Sequence, residues 1–312
     1  MSFTALAADE PAASPRRAPS TGSITIGTAA ERPSARVKRG MWQRFCRNRG
    51  AVAGLLILCT FALVALAAPL ATTYDPEQAR LDQKLLEPSP AHLLGTDHLG
   101  RDILARLAYG ARFSLFIGFA AVGVALIIGV PLGIVCGFYG GWLDLLIQRV
   151  IDVFLSFPGF LLALSLVAVL GVGVDNVILA VGLGVVPAFV RLTRASTLSI
   201  RSRSYVDAAR AAGASGLIII VRHVLPNAMA PVVIQATLGL GAALLTAAGL
   251  GFLGLGVQQP TPEWGAMLGE GRSYIFSNPN LATFPGVAIF LTVLAFNLAG
   301  DGLRDALDPT MS

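Results

Sequence analysis

The chain has 312 residues, of which 54% are hydrophobic and 13% charged. Soluble domains carry about 25% charged residues, so this composition excludes a protein that keeps most of its surface in water. The net charge of +5 is small, and its placement reads as membrane orientation, with no nucleic-acid partner implied.

Residues 1–40 are rich in Ala, Pro, Ser and Arg and hold no apolar run. They read as a disordered cytoplasmic tail, and no apolar h-region marks a signal peptide. Trp42 and Phe45, beside Arg44, Arg47 and Arg49, read as an interfacial anchor. Six apolar segments follow, at 51–70, 113–138, 150–171, 176–194, 229–256 and 282–300. Each approaches the roughly 20 residues a helix needs to cross about 30 Å of hydrocarbon. Pro158 interrupts the third and Pro187 the fourth; a span tolerates proline where neighbouring helices satisfy the freed backbone groups. The expected fold class is an all-α polytopic membrane protein with six transmembrane helices. Its expected divisions are the tail 1–40, a segment 41–110 with the first span and a long loop, and a helical domain 111–309.

With a cytoplasmic N-terminus, six of the 23 Lys and Arg fall outside: Arg80, Lys84, Arg101, Arg106, Arg112 and Arg272. The other 17 fall inside, whereas the 18 acidic residues divide evenly. Basic residues set orientation and acidic ones contribute little, so both termini are expected in the cytoplasm. Cys46, Cys59 and Cys136 are too scattered for a disulfide framework or a metal site.

The outside segment 71–112 contains HLLGTDHLGRDILARLAYGARFSL, His92 to Leu115. Thr96 or Asp97 is placed to cap an amphipathic helix carrying Leu99, Ile103, Leu104 and Leu107. His92 and His98 lack acidic partners at metal-ligand spacing and read as surface or capping residues. The fifth apolar segment ends in GLGFLGLG, Gly249 to Gly256, a candidate for tight packing or a bend. The Pro/Gly-rich loop that follows places Trp264 at the membrane interface.

Span interiors hold almost no charge. Asp152, Arg191 and Arg194 lie near inner ends and read as snorkelling residues or a local pair. Ion-coupled carriers use intramembrane charges, so their scarcity argues against that class. A phosphate-binding loop needs Lys in G-x-x-x-x-G-K-[ST], and the two lysines, Lys38 and Lys84, sit in no such context. Uphill transport would therefore need ATP hydrolysis by another polypeptide, docked on the cytoplasmic side.

SRSYVDAARAAGASGLIIIVRHVLPN, Ser202 to Asn227, lies between two spans on that side. Ser204 and Asp207 have capping-box spacing. Ala208, Ala209, Ala211 and Ala212 favour helix, and Gly213 is placed to end it in a left-handed conformation. Ser215 starts a second helix, and Pro226 limits its continuation. The element reads as a rigid knob with a small-residue face.

This stretch resembles the EAA loop of bacterial ABC importer permeases: E-A-A, three residues, Gly, nine residues, I-x-L-P. Asp207-Ala208-Ala209, Gly213 and Leu225-Pro226 stand at those positions. Asp207 replaces Glu. His223 stands where the general pattern has Ile, and RHVLPN is similar to the dipeptide/oligopeptide/nickel branch. Two further stretches, Gly95 to Leu115 and GFLGLGVQQPTPEWGAMLGEGR from Gly251 to Arg272, look like signatures of the same branch. The resemblance covers about residues 41–309 and is to its C-type permease subunit, with a type I importer fold.

The resemblance implies a non-catalytic conduit with no cofactor, metal or catalytic residue of its own. Its implied partners are a B-type permease, one or two ABC ATP-binding subunits, an extracytoplasmic substrate-binding protein and the bilayer of a bacterial inner membrane. The coupling loop would comprise Ser204, Asp207, Ala208, Ala209, Gly213, Ala214, Ser215, His223, Leu225 and Pro226. Asp97, Arg101, Asp102 and Trp264 are the candidate contacts for the binding protein. Peptides are the expected substrate; nickel chelates, glutathione or opines are alternatives within the family, and an ion-coupled carrier is the distant one.

Overall fold

The computed structural model describes residues 41–307, which are helical apart from turns and one isolated bridge between Thr96 and Asp102. The expected tail 1–40 lies outside the described residues. Helix α1 (Met41–Arg47) leads into α2 (Arg49–Ala71), whose start is capped by the Asn48 side chain accepting the Ala51 N–H at 3.1 Å. Phe45 is buried against Gly302, whereas Trp42 is exposed.

No separate amphipathic helix begins at Thr96 or Asp97. The chain turns through 96–102, and Asp102 is the cap: its carboxylate accepts the Ala105 N–H at 2.7 Å. Helix α3 (Ile103–Tyr139) then runs unbroken for 37 residues. Ile103, Leu104 and Leu107 thus belong to the first turns of the second span. Its end is set by Gly140, at φ +66°.

The third apolar segment is not one straight span. Helix α4 (Gly141–Ser156) and α5 (Gly159–Leu170) meet at a 95° bend across Phe157 and Pro158. Proline has no N–H to donate and crowds the preceding turn, so the axis breaks there. By contrast Pro187 lies inside α6 (Val174–Arg201) without ending it. Among the described residues five helical runs are long and apolar enough to cross a membrane, and the bent pair makes six when counted as one span.

Parallel packing of α3 and α6 requires that return crossing. Gly129, Gly133 and Gly137 of α3 face Phe189, Thr193 and Thr197 of α6 in the same order. A Cβ at these glycines would lie 2.6, 2.7 and 2.7 Å from the opposing Cβ atoms. Lipid is as apolar as the side chains, so helices associate there through such close backbone approach.

After α6 come α7 (Ser204–Ala211) and α8 (Gly216–Ile219). A π turn over Ile220–Val224 carries α8 directly into α9 (Leu225–Phe252), so Gly216–Phe252 is continuous. Pro226 therefore does not stop the second helix. The Leu225 N–H reaches back five residues to the Ile220 carbonyl, and this wider turn relieves the crowding that Pro226 would impose on an α turn.

Helix α10 (Trp264–Gly271) packs alongside the far end of α9, and α11 (Asn280–Leu307) closes the bundle. The glycine-rich end of α9 packs tightly, as its composition predicts: a Cβ at Gly265 would overlap the Ala248 carbonyl, and one at Gly251 would strike Glu263. Residues Met41 and Leu307 end up at the same end of the bundle as α7, because α2 and α9 both pack antiparallel to α11.

Candidate functional site

The predicted loop residues form a knob at one end of the bundle. Helix α7 ends at a Schellman turn: the Gly213 N–H donates to the Arg210 carbonyl at 2.9 Å and the Ala214 N–H to the Ala209 carbonyl at 3.0 Å. Gly213 has φ +81°, the left-handed conformation this motif needs. Its start departs from expectation. Ser204 lies inside the first turn, Arg203 occupies the cap position, and neither makes a side-chain capping bond. Asp207 instead accepts from Arg210 at 3.1 Å. Ser215 does occupy the cap position of α8, again without a side-chain bond.

Val206 anchors the knob. It is buried with Phe138 of α3, Ile200 of α6, Ile219, Val224 and Ala228. Ala209 and Ala214 pack half-buried on that cluster. The Arg210 guanidinium sits 5.7 Å over the Phe138 ring, and His223 lies against Tyr205. Ser204, Asp207, Ala208 and Gly213 remain exposed. A Cβ at Gly213 would meet nothing within 4 Å. So the exposed face of α7 is built from small residues on a support that three long helices share, while Leu225 and Pro226 shape the helix beneath it.

A second cluster lies at the opposite end, and it is buried. Asp97, Arg101, Asp102 and Trp264 are 5%, 1%, 5% and 0% exposed. Arg101 donates to Asp97 at 2.6 Å and to Glu270 at 2.9 Å. Arg106, which the sequence reading did not single out, donates to the carbonyls of Pro76 at 3.1 Å and Pro260 at 3.2 Å and lies 3.4 Å from Glu270. The two planar guanidinium groups thus gather acceptors from several separate segments of the chain. His92 is buried, not on the surface as expected, with Nδ1 2.9 Å from Asp102; a carboxylate only accepts, so Nδ1 carries the proton.

Trp264 likewise leaves the expected membrane interface. Its ring meets Phe61 edge-on, and its Nε1–H donates to the Leu107 carbonyl at 2.9 Å. Beside it Glu263 accepts from the Ser114 hydroxyl at 2.9 Å and from the N–H groups of Gly265 and Ala266 at 2.9 and 2.8 Å. Burial raises its pKa, against these bonds, which lower it.

Asp97, His98 and Glu270 offer ligand atoms within 4.8 Å of one another. Both carboxylates already hold Arg101 and Arg106, so their charge is matched by the two guanidinium groups without a metal ion. At the inner ends of the spans Arg191 pairs with Asp152 at 2.7 Å, one of the readings expected there, and Arg194 pairs through two bonds of 2.7 and 2.6 Å with Asp144, which the sequence reading did not name. Cys46 and Cys59 are exposed and Cys136 is buried, all free.

Comparison with known proteins places this geometry in a family. A model described as "Binding-protein-dependent transport system inner membrane component" matches residues 129–312, and "N-terminal TM domain of oligopeptide transport permease C" matches residues 38–88. The chain is 48% identical over 88% of its length to the dipeptide transport system permease protein DppC of Alkalihalophilus pseudofirmus, covering 90% of that protein. It is 47% identical over 88% of its length to the glutathione transport system permease protein GsiD of Pectobacterium atrosepticum, covering 91% of it. A solved structure of the MetNI methionine ABC transporter, described as inward facing, shares the fold at a TM-score of 0.53 and 22% identity, over 65% of this chain and 96% of that one. The chain belongs to the inner-membrane permeases of binding-protein-dependent ABC importers, in the branch of the oligopeptide-type C permeases.

Proposed function

We propose that this permease pairs with a B-type permease to form the path through which peptides enter a bacterial cell, driven by ATP hydrolysis on separate subunits. One observation carries the reading: the α7 knob presents Asp207, Ala208 and Gly213 outward while Val206 wedges it under the ends of α3, α6 and α9. A body seated on that face would move three spans together. The excess of Lys and Arg at this end supports its placement in the cytoplasm, with both termini there. One fused ATPase chain or two separate ones would fit the same face.

The substrate class follows the relatives. Dipeptide and glutathione permeases both stand at 47–49% identity over most of the chain, so glutathione is the second reading. At the opposite end, Asp97, Arg101, Asp102 and Trp264 are buried. Their role toward a binding protein is to hold the rim rigid, and its exposed apolar residues, Leu93, Ile275 and Phe276, make the contact.

The test is a membrane pulldown of the tagged chain, followed by uptake. A second permease and a Walker-motif ATPase are expected in the pulldown. Gly213→Arg should preserve insertion, because its side chain enters open space and the left-handed backbone costs only about 1–2 kcal/mol, yet lose ATPase binding and uptake. Normal uptake at normal abundance by Gly213→Arg would sink the knob assignment. Uptake of labelled glutathione but not of labelled dipeptides would select the second reading.

A further inference from the structure

Helix α4 buries little of itself within this chain. Of its 16 residues only Ile151 is buried. Trp142, Leu145 and Val153 are 75%, 64% and 60% exposed, so within this chain its apolar anchorage is confined to Ile151 and the half-buried Ile147. Its polar residues Asp144, Gln148, Asp152 and Ser156 recur every fourth position, which lines them along one face. Two of them meet α6 as rungs: Asp144 with Arg194, and Asp152 with Arg191. Partly exposed pairs of this kind add little net stability; they set a position without locking it.

Both ends of α4 are built to bend. Gly140 and Gly141 have consecutive φ values of +66° and +68°, and a Cβ at Gly141 would meet nothing within 4 Å. At the other end stand Phe157, Pro158 and an uncrowded Gly159. The residues just before the first hinge, Phe138 and Tyr139, lie under the knob. Phe138 is buried with Val206 and covered by Arg210, and a Cβ at Gly216 would lie 3.3 Å from Phe138 and 3.5 Å from the Tyr139 hydroxyl.

We infer that α4 is a strut hinged at Gly140–Gly141, which displacement of the α7 knob swings away from α6 by parting the Asp144–Arg194 and Asp152–Arg191 rungs. This rests on the importer reading of the knob. Sub-ångström shifts become discrete motions where an element has two supported positions, and the rungs define one of them.

The experiment uses the whole transporter, reconstituted with its partner subunits, after Cys46→Ser and Cys59→Ala remove the exposed thiols. Spin labels at Val150→Cys and Ala195→Cys report the separation of α4 from α6. Labels at Ser204→Cys and Arg304→Cys report the knob against α11. ATP trapped with vanadate is expected to shift both distances. Asp144→Asn/Asp152→Asn is expected to show the shifted α4 distance without ATP. A knob distance that shifts while the α4 distance stays fixed overturns the strut alone, as does a double variant identical to its parent. Two distances unmoved by ATP overturn the importer reading and the strut with it.

Discussion

Substituting Gly133 tests how these helices hold together. Gly133→Ala puts a Cβ 2.7 Å from Thr193 Cβ and from the Val190 carbonyl oxygen, and 3.0 Å from the Arg194 nitrogen. Ordinary contact begins near 3.4 Å, so α3 and α6 must part by about 0.7 Å at this rung, forfeiting part of the dispersion energy along the seam. The obstructing atoms are backbone or Cβ, so no rotamer change relieves them. Overfilling of this kind costs about 1–3 kcal/mol, against a gain of about 1 kcal/mol for replacing Gly by Ala in a helix. The expected result is a loss of about 1 kcal/mol. Gly123 is the control: it lies in the same helix, and a Cβ there meets nothing within 4 Å. Gly123→Ala should therefore stabilise by up to about 1 kcal/mol. The assay is unfolding of the purified subunit in one detergent, parent and both variants side by side. Equal stability of Gly133→Ala and Gly123→Ala would refute close backbone approach as the source of α3–α6 association.

Three further outcomes follow from the opposite end. Glu263→Gln leaves one acceptor oxygen for three donors, so at least one buried donor is orphaned, at about 1–3 kcal/mol; thermal unfolding reads this directly. Because burial raises the Glu263 pKa above its ordinary 4.5, the folded state holds this proton more tightly than the unfolded chain. The stability it contributes is full below about pH 4.5 and is lost as pH rises through the raised value; a stability–pH series should lose that slope in Glu263→Gln. Arg106→Lys keeps the charge but replaces the planar fork, whose two nitrogens divide Pro76 and Pro260 from Glu270, with a single ammonium, and should lower the unfolding temperature without changing membrane insertion.

Spans and knob were legible in the sequence because their signals are local. An apolar run of twenty residues needs no partner to be recognised, and Gly213 announces a left-handed turn by its place after four alanines. Capping at Ser204 failed on the same local evidence. Asp207 has Arg210 one turn ahead, and that pair competes for the carboxylate the capping box would use. The α3 glycines at 129, 133 and 137 stand at a four-residue spacing that the sequence reading did not use, and spacing alone does not say which helix lies opposite. The bend at Pro158 was visible as an interruption, but its 95° angle depends on what α5 packs against.

The buried ion cluster illustrates the deeper reason. A charged residue in a loop reads as exposed because a lone buried charge is costly, and Asp97, Arg101 and Asp102 were read that way. What reverses the reading lies far along the chain: Arg101 and Glu270 are 169 residues apart, and Arg106 finds its Pro260 carbonyl across 154. Burial becomes tolerable only when every donor is met at once, a condition set by the fold as a whole and by no window of sequence. The same logic separates the two ends of this molecule. On the exposed face of α7, small residues beside a glycine turn are marked by a short window of sequence. In the buried frame the partners lie far along the chain, and an isolated sequence motif points at its residues as if they were the surface.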